Sequence, residues 1–300
     1  MKRIKLETPI NLEISIYPSF ISFLFKVYEN RLLKIYGVGK NCKIIVENEK
    51  TIVYSEECEN YINEWLGLWF NPYDFLAKVK RSKRYIVERI LEVYVGLKLM
   101  VSPWDRDFIF IATFLSRRAN YHVSVIKWMY KILDLVNEDV ELIPLYDLTE
   151  SVGRSYQLKQ LMEIIPDYLK LRKITYENPW VERLNLMKLK YVGPKVTDAY
   201  LLFTGKGSIY TPSDVHYQRF TRYLGLIDKD KYIIPGKQHC ILNNAYCLNC
   251  SLSNECLTGL SVRTYDVLSG WLQTVGYVHD KLYCSRNRCR ECPLKNICVK

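Results

Sequence analysis

The chain lacks any apolar run approaching the ~20 residues that a membrane-spanning helix requires, so no membrane is expected as a partner. Its opening stretch, MKRIKLETPINLE, carries basic side chains with no apolar core behind them, so no signal peptide is expected. There is no tandem repeat and no low-complexity segment, which sets aside solenoids and disordered tails. Glutamine is scarce while Lys, Glu, Ile and Tyr are abundant, a balance that suits a hot-living source. Acidic residues are also in deficit: 43 Lys and Arg stand against 32 Asp and Glu, a formal charge of +11. Such an excess points to a polyanionic partner, nucleic acid ahead of a membrane surface, although a generally basic soluble enzyme would carry it too.

What is present in quantity is cysteine. Ten occur in 300 residues. In an intracellular, cytoplasmic chain they call for a reason other than a disulfide framework, with the exception that hot-living cells do form intracellular disulfides.

The first ~60 residues alternate strand-like runs with turns, namely NLEISIY, LLKIYGV, CKIIVE and TIVYSE. They predict an N-terminal antiparallel sheet domain over 1–76. Helical periodicity follows, through PWDRDFIFIATFLSRR, VSVIKWMYKILDLV, QLKQLMEIIPDYLK and PWVERLNLMKLK. An α+β fold is expected, with a helical core over 77–239, a cysteine loop over 240–256 and a C-terminal helix with a second cysteine module over 257–300.

Residues 184–203, LNLMKLKYVGPKVTDAYLLF, read as helix, tight turn, helix. Pro194 suits a first helical position, and Gly193 is read as supplying a backbone shape or close approach that a side chain would forbid. Lys195 then sits at the positive end of a helix dipole, where a cation gains nothing in stability. Nineteen residues later comes Asp214, in YTPSDVHYQRF, at a position where a helix N-cap is the plain structural reading.

With these two segments the chain resembles the helix-hairpin-helix DNA glycosylases, whose signature is a hairpin V-G-x-K followed by a loop ending D-[VT]-H. The spacing is that of the 8-oxoguanine glycosylase branch. The resemblance implies that Lys195 is the attacking amine and Asp214 the essential carboxylate, in a bifunctional glycosylase and abasic-site lyase of base excision repair. Val192 and Gly193 would offer backbone N–H groups to a DNA phosphate, and His216 would contact phosphate beside the lesion. One departure is plain: the usual L-P-G-V-G is L-K-Y-V-G, with Tyr191 in place of a glycine. The chemistry is coherent. A carboxylate stabilises oxocarbenium character on the sugar, and an amine that normally titrates near about 10.4 loses its proton more readily at a helix N-terminus when partly desolvated.

Cys240, Cys247, Cys250 and Cys256 form C-x6-C-x2-C-x5-C, compact enough to close around one [4Fe–4S] cube. Zinc competes, but its modules more often pair two short knuckles. The spacing is similar to the cluster of the endonuclease III and adenine glycosylase branches. Cys284, Cys289, Cys292 and Cys298 repeat the last two intervals. A second [4Fe–4S] cluster is expected there, with zinc as the alternative. Arg286, Arg288 and Arg290 lie in this second set, while the first loop, ILNNAY, has no cation. Phosphate binding is therefore expected of the second set, with a solvated basic tail as the alternative. Cys42 and Cys58 are read as free, half-buried thiols, with a hairpin disulfide as the alternative.

A glycosylase must extrude its target nucleotide. By position in FLSRRANYH, Arg118 is the candidate wedge, with Arg117 or Asn120 reaching the opposite strand, and phosphate-bound surface arginines as the alternative. For the base, an oxidised purine is preferred over an oxidised pyrimidine, and that over a deaminated or mismatched base. The layout favours the purine, whereas Ala199 and YPSFISF depart from the 8-oxoguanine branch. The expected partner is duplex DNA with a damaged base, bound by a monomer on chromosomal DNA. A non-catalytic iron–sulfur DNA-binding protein is the rival of another class. A metal-dependent nuclease would need a carboxylate cluster, and none stands out.

Overall fold

The computed structural model describes residues 1–227 and 232–299. An antiparallel sheet forms from β1 (Lys2–Lys5), β2 (Phe25–Tyr28), β3 (Arg31–Lys34), β4 (Lys43–Asn48) and β5 (Thr51–Tyr54), in the order β1-β5-β4-β3-β2. The alternation in β4 and β5 turns Ile44, Val46, Ile52 and Tyr54 into the core.

Residues 11–17 are a correction. NLEISIY forms helix α1 (Leu12–Ile16), not a strand. Asn11 accepts a hydrogen bond from the Ile14 amide, and Leu12, Ser15 and Ile16 are buried at helical spacing. An N-cap outweighs alternation over so short a run. Cys42 and Cys58 are a second correction: both are fully buried and joined as a disulfide, with Cα atoms 5.3 Å apart.

The helices follow in chain order: α2 (Ile62–Trp65), α3 (Arg81–Val93), α4 (Arg106–Leu115), α5 (Ile126–Leu135), α6 (Leu148–Ser151), α7 (Tyr156–Leu171), α8 (Pro179–Lys188), α9 (Pro194–Phe203), α10 (Val215–Tyr223), α11 (Lys237–Leu242), α12 (Leu257–Tyr265) and α13 (Ser269–Leu282). One hydrophobic core runs from Ile10 through the helices to Leu294. A buried ion pair, Lys34 Nζ to Asp105 Oδ2 at 2.7 Å, joins the sheet to the start of α4. Gly276 lets α13 lie close on α10, since a Cβ there would meet Phe220 Cδ1 at 2.9 Å. Among the described residues no helix is long and apolar enough to cross a membrane.

Candidate functional site

The hairpin of α8 and α9 begins at Asn178, whose side chain accepts from the Trp180 amide at 2.9 Å, with Pro179 in the first helical position. Its two helices are clamped internally. Arg183 of α8 donates from Nη2 to Asp198 Oδ2 of α9 at 3.0 Å, and from Nη1 to the Ala245 carbonyl at 2.7 Å. Both members of the pair are 1% exposed.

The turn corrects the sequence reading. Gly193 has φ −118° and ψ 179°, an extended shape that any residue adopts, and no protein atom lies within 4 Å of where its Cβ would stand. The left-handed residue is Tyr191, at φ 63°. Its hydroxyl donates to Glu163 Oε2 at 2.8 Å, and Lys190 Nζ reaches the same oxygen at 2.9 Å. These contacts offset the roughly 1–2 kcal/mol that a left-handed L-residue costs. Val192 is fully buried and anchors the turn.

Lys195, exposed in the first turn of α9, and Asp214, at the start of α10, line one cleft of about 460 Å³. Because Lys195 is exposed, the desolvation expected for it is not supplied by the folded chain. Asp214 does cap its helix, as the plain reading holds: Oδ1 accepts from the Tyr217 amide at 2.8 Å. Its other oxygen, Oδ2, accepts from Gln273 Nε2 at 3.4 Å. Gln273 and Tyr277, one helical turn apart on α13, line the same cleft with Phe20 and Tyr121. Burial keeps the Tyr277 phenol protonated well above its ordinary range.

His216 also lines the cleft. Its Nδ1 lies 2.6 Å from Asp280 Oδ2, and Arg219 donates to both oxygens of that carboxylate at 2.7 Å. Burial alone would raise the Asp280 pKa, but these hydrogen bonds outweigh it and hold the carboxyl below its usual range. Behind the cleft, His122 stacks on Tyr17 at 4.2 Å. Burial, helped by the Lys281 charge, pulls its pKa down to about 4, so the imidazole is neutral at physiological pH.

Arg118 stands exposed at the lip of the cleft with φ 55°. The Arg117 guanidinium donates to the Phe114 and Tyr191 carbonyls and to Gln160 Oε1. That placement makes it a brace for the hairpin turn. Asn120 caps the following turn, accepting from the Val123 amide at 3.3 Å.

Each four-cysteine set surrounds a cavity. Cys240, Cys247, Cys250 and Cys256 line about 50 Å³, and Cys284, Cys289, Cys292 and Cys298 line about 150 Å³. All eight thiols are free. Among the described residues no three or more His, Cys, Asp or Glu side chains converge so as to hold a single ion. Four free thiols around one cavity are the donor set that a [4Fe–4S] cluster or a zinc ion takes. Arg286, Arg288 and Arg290 are exposed on the second set.

Sequence reasoning missed Gln273, Tyr277, Asp280 and the Arg183–Asp198 clamp. A glutamine and an aspartate inside the apolar run GWLQTVGYVHD are the only local signal for the first three.

No protein-family model and no curated protein matches the chain. Solved structures do. MBOgg1 in complex with a low-affinity DNA ligand superposes with TM-score 0.68 at 13% identity, over 93% of this chain and 95% of the other. The Clostridium acetobutylicum 8-oxoguanine glycosylase/lyase, bound to double-stranded DNA with cytosine opposite 8-oxoguanine, gives 0.63 at 14%, over 94% and 98%. A 3-methyladenine DNA glycosylase from Archaeoglobus fulgidus gives 0.61 at 17%, over 94% and 99%. The chain has the fold of these glycosylases, an α+β architecture that includes the sheet as well as the hairpin.

Proposed function

From that shared fold, we propose that the protein is a bifunctional DNA N-glycosylase and abasic-site lyase acting on an oxidised base, with an oxidised purine ahead of an oxidised pyrimidine. The observation that carries the reading is one cleft lined by both Lys195 and Asp214, whose helix cap engages only Oδ1. The extruded nucleotide would enter between Phe20, Tyr121 and Tyr277, its base edge facing Gln273. Asp214 Oδ2 stabilises positive charge as the bond from C1′ to the base breaks, while Oδ1 stays on the Tyr217 amide. The neutral Lys195 amine bonds to C1′, and the base leaves with the glycosidic electron pair. The attacking nitrogen gives one proton to the departing base, and the C1′ aminal then opens as the C1′–O4′ bond breaks and O4′ takes a proton from water. The ring-opened iminium acidifies C2′–H, and loss of that proton expels the 3′ phosphate, which nicks the strand. Desolvation by bound DNA, added to the helix N-terminus, favours the neutral amine.

Val192, Gly193 and His216 are assigned to the DNA backbone and Arg118 to the gap left by the extruded base. The first cysteine set is assigned a [4Fe–4S] cluster held by Cys240, Cys247, Cys250 and Cys256. Such a cluster would crosslink α11, its loop and α12 beside the small hydrophobic cluster of Met187, Cys240 and Ala245.

Borohydride trapping tests the reading. Wild type should crosslink covalently to duplexes bearing an abasic site or the cognate lesion, and Lys195→Gln should fall to background. Trapping that survives in Lys195→Gln removes the assignment. A panel of single-lesion duplexes identifies the base.

A further inference from the structure

α13 ends in a second chemical environment, on the far side of the residues that line the cleft. His279, 1% exposed, places Nε2 3.5 Å from Cys292 Sγ and Nδ1 2.8 Å from the Tyr94 hydroxyl. Tyr94 is itself 4% exposed, so water does not compete for either contact. We infer that Cys284, Cys289, Cys292 and Cys298 hold a second [4Fe–4S] cluster, and that a Tyr94–His279 relay delivers a fixed hydrogen bond to its Cys292 sulfur.

Two observations support the site. The cavity they line has about three times the volume of the first, 150 against 50 Å³, and Phe220 and Leu224 give it apolar walls. Its thiols remain unpaired, although the same chain forms a disulfide elsewhere.

The direction of the relay follows from proton counting. A neutral imidazole has one N–H, and a ligating thiolate can only accept. If Nε2 donates to sulfur, Nδ1 must accept, and the Tyr94 O–H is there to give. The first set has no such arrangement. His239 Nε2 lies 3.4 Å from Cys250 Sγ, but Asn243 Nδ2 competes for the same nitrogen at 3.2 Å and the ring is half-exposed. A hydrogen bond to a ligating sulfur withdraws negative charge and favours the reduced cluster. The two clusters therefore differ in potential, and His279 raises the second.

Iron analysis of anaerobically purified holoprotein should give about eight irons per chain, and the Cys289→Ser/Cys292→Ser variant about four. His279→Leu should retain about eight irons while one of two reduction potentials moves to a more negative value. Tyr94→Phe should move the same potential in the same direction by less. About four irons with one zinc in wild type overturns the second cluster, as does full iron in the cysteine variant. An unshifted pair of potentials in His279→Leu overturns the relay. The wild-type count holds even if a variant fails to fold. None of these readings depends on Lys195, so trapping and iron content fail separately.

Discussion

In the first four-cysteine set, Cys240, Cys247 and Cys256 are buried, and the loop is tied inward through Arg183 to Asp198 on the lysine-bearing helix. In the second, Cys289 is exposed, Cys284 and Cys298 are half-exposed, and the connection runs through α13 to Gln273, Tyr277 and Asp280. The same C-x2-C-x5-C ending is thus attached to two helices that both line one cleft. One set is attached to the helix that carries Lys195. The other follows the helix that carries Gln273 and Tyr277, and its arginines are exposed. Equal spacing therefore fixes what a set can bind, while its attachments determine what that binding does for the rest of the molecule.

The largest effect expected from this contrast is at Arg183. Arg183→Met leaves Asp198 buried and unpaired, which should cost about 3–5 kcal/mol in chemical denaturation. A loss under about 1 kcal/mol would mean that the first set is not tied to the hairpin.

Asp280 sharpens the other half. Its pKa is depressed in the folded state, so its contribution is present above the ordinary carboxylate value of 3.8 and is lost as pH falls through the lower folded value. Asp280→Asn should destabilise by about 1.5–3 kcal/mol at neutral pH. The gap from wild type should narrow in acid, and a gap independent of pH would break the assignment.

The smallest effect is on DNA affinity. Replacing Arg286, Arg288 and Arg290 with serine should flatten the slope of log K against log salt by up to about 2–3, at roughly 0.9 for each phosphate no longer neutralised. An unchanged slope would remove the division of labour between the two sets.

Lys195, Asp214 and the cysteines were legible because each motif is complete within a short stretch of chain. The rest depended on distance along the chain. Gln273 meets Asp214 across 59 positions and His216 meets Asp280 across 64, and in sequence α13 reads simply as an apolar helix. Arg117 and Arg118 are adjacent and chemically alike, and only the positive φ of Arg118 sends the two side chains apart. The strand reading of 11–17 failed because five residues satisfy periods of two and of nearly four equally well, leaving the Asn11 cap to decide. Tyr191 shows the opposite: a tyrosine where the resemblance has a glycine gives no warning of a left-handed residue, yet the chain adopts one there and holds it through Glu163.

The clear ground above Gly193 has a use beyond describing the turn. A methyl group placed there would crowd no neighbour in the isolated protein and would demand no new backbone shape. Alanine at this position is therefore silent to the host and would obstruct only a guest pressed against the turn. A single carbon atom could thus measure how closely nucleic acid approaches this chain, without disturbing anything the chain does alone.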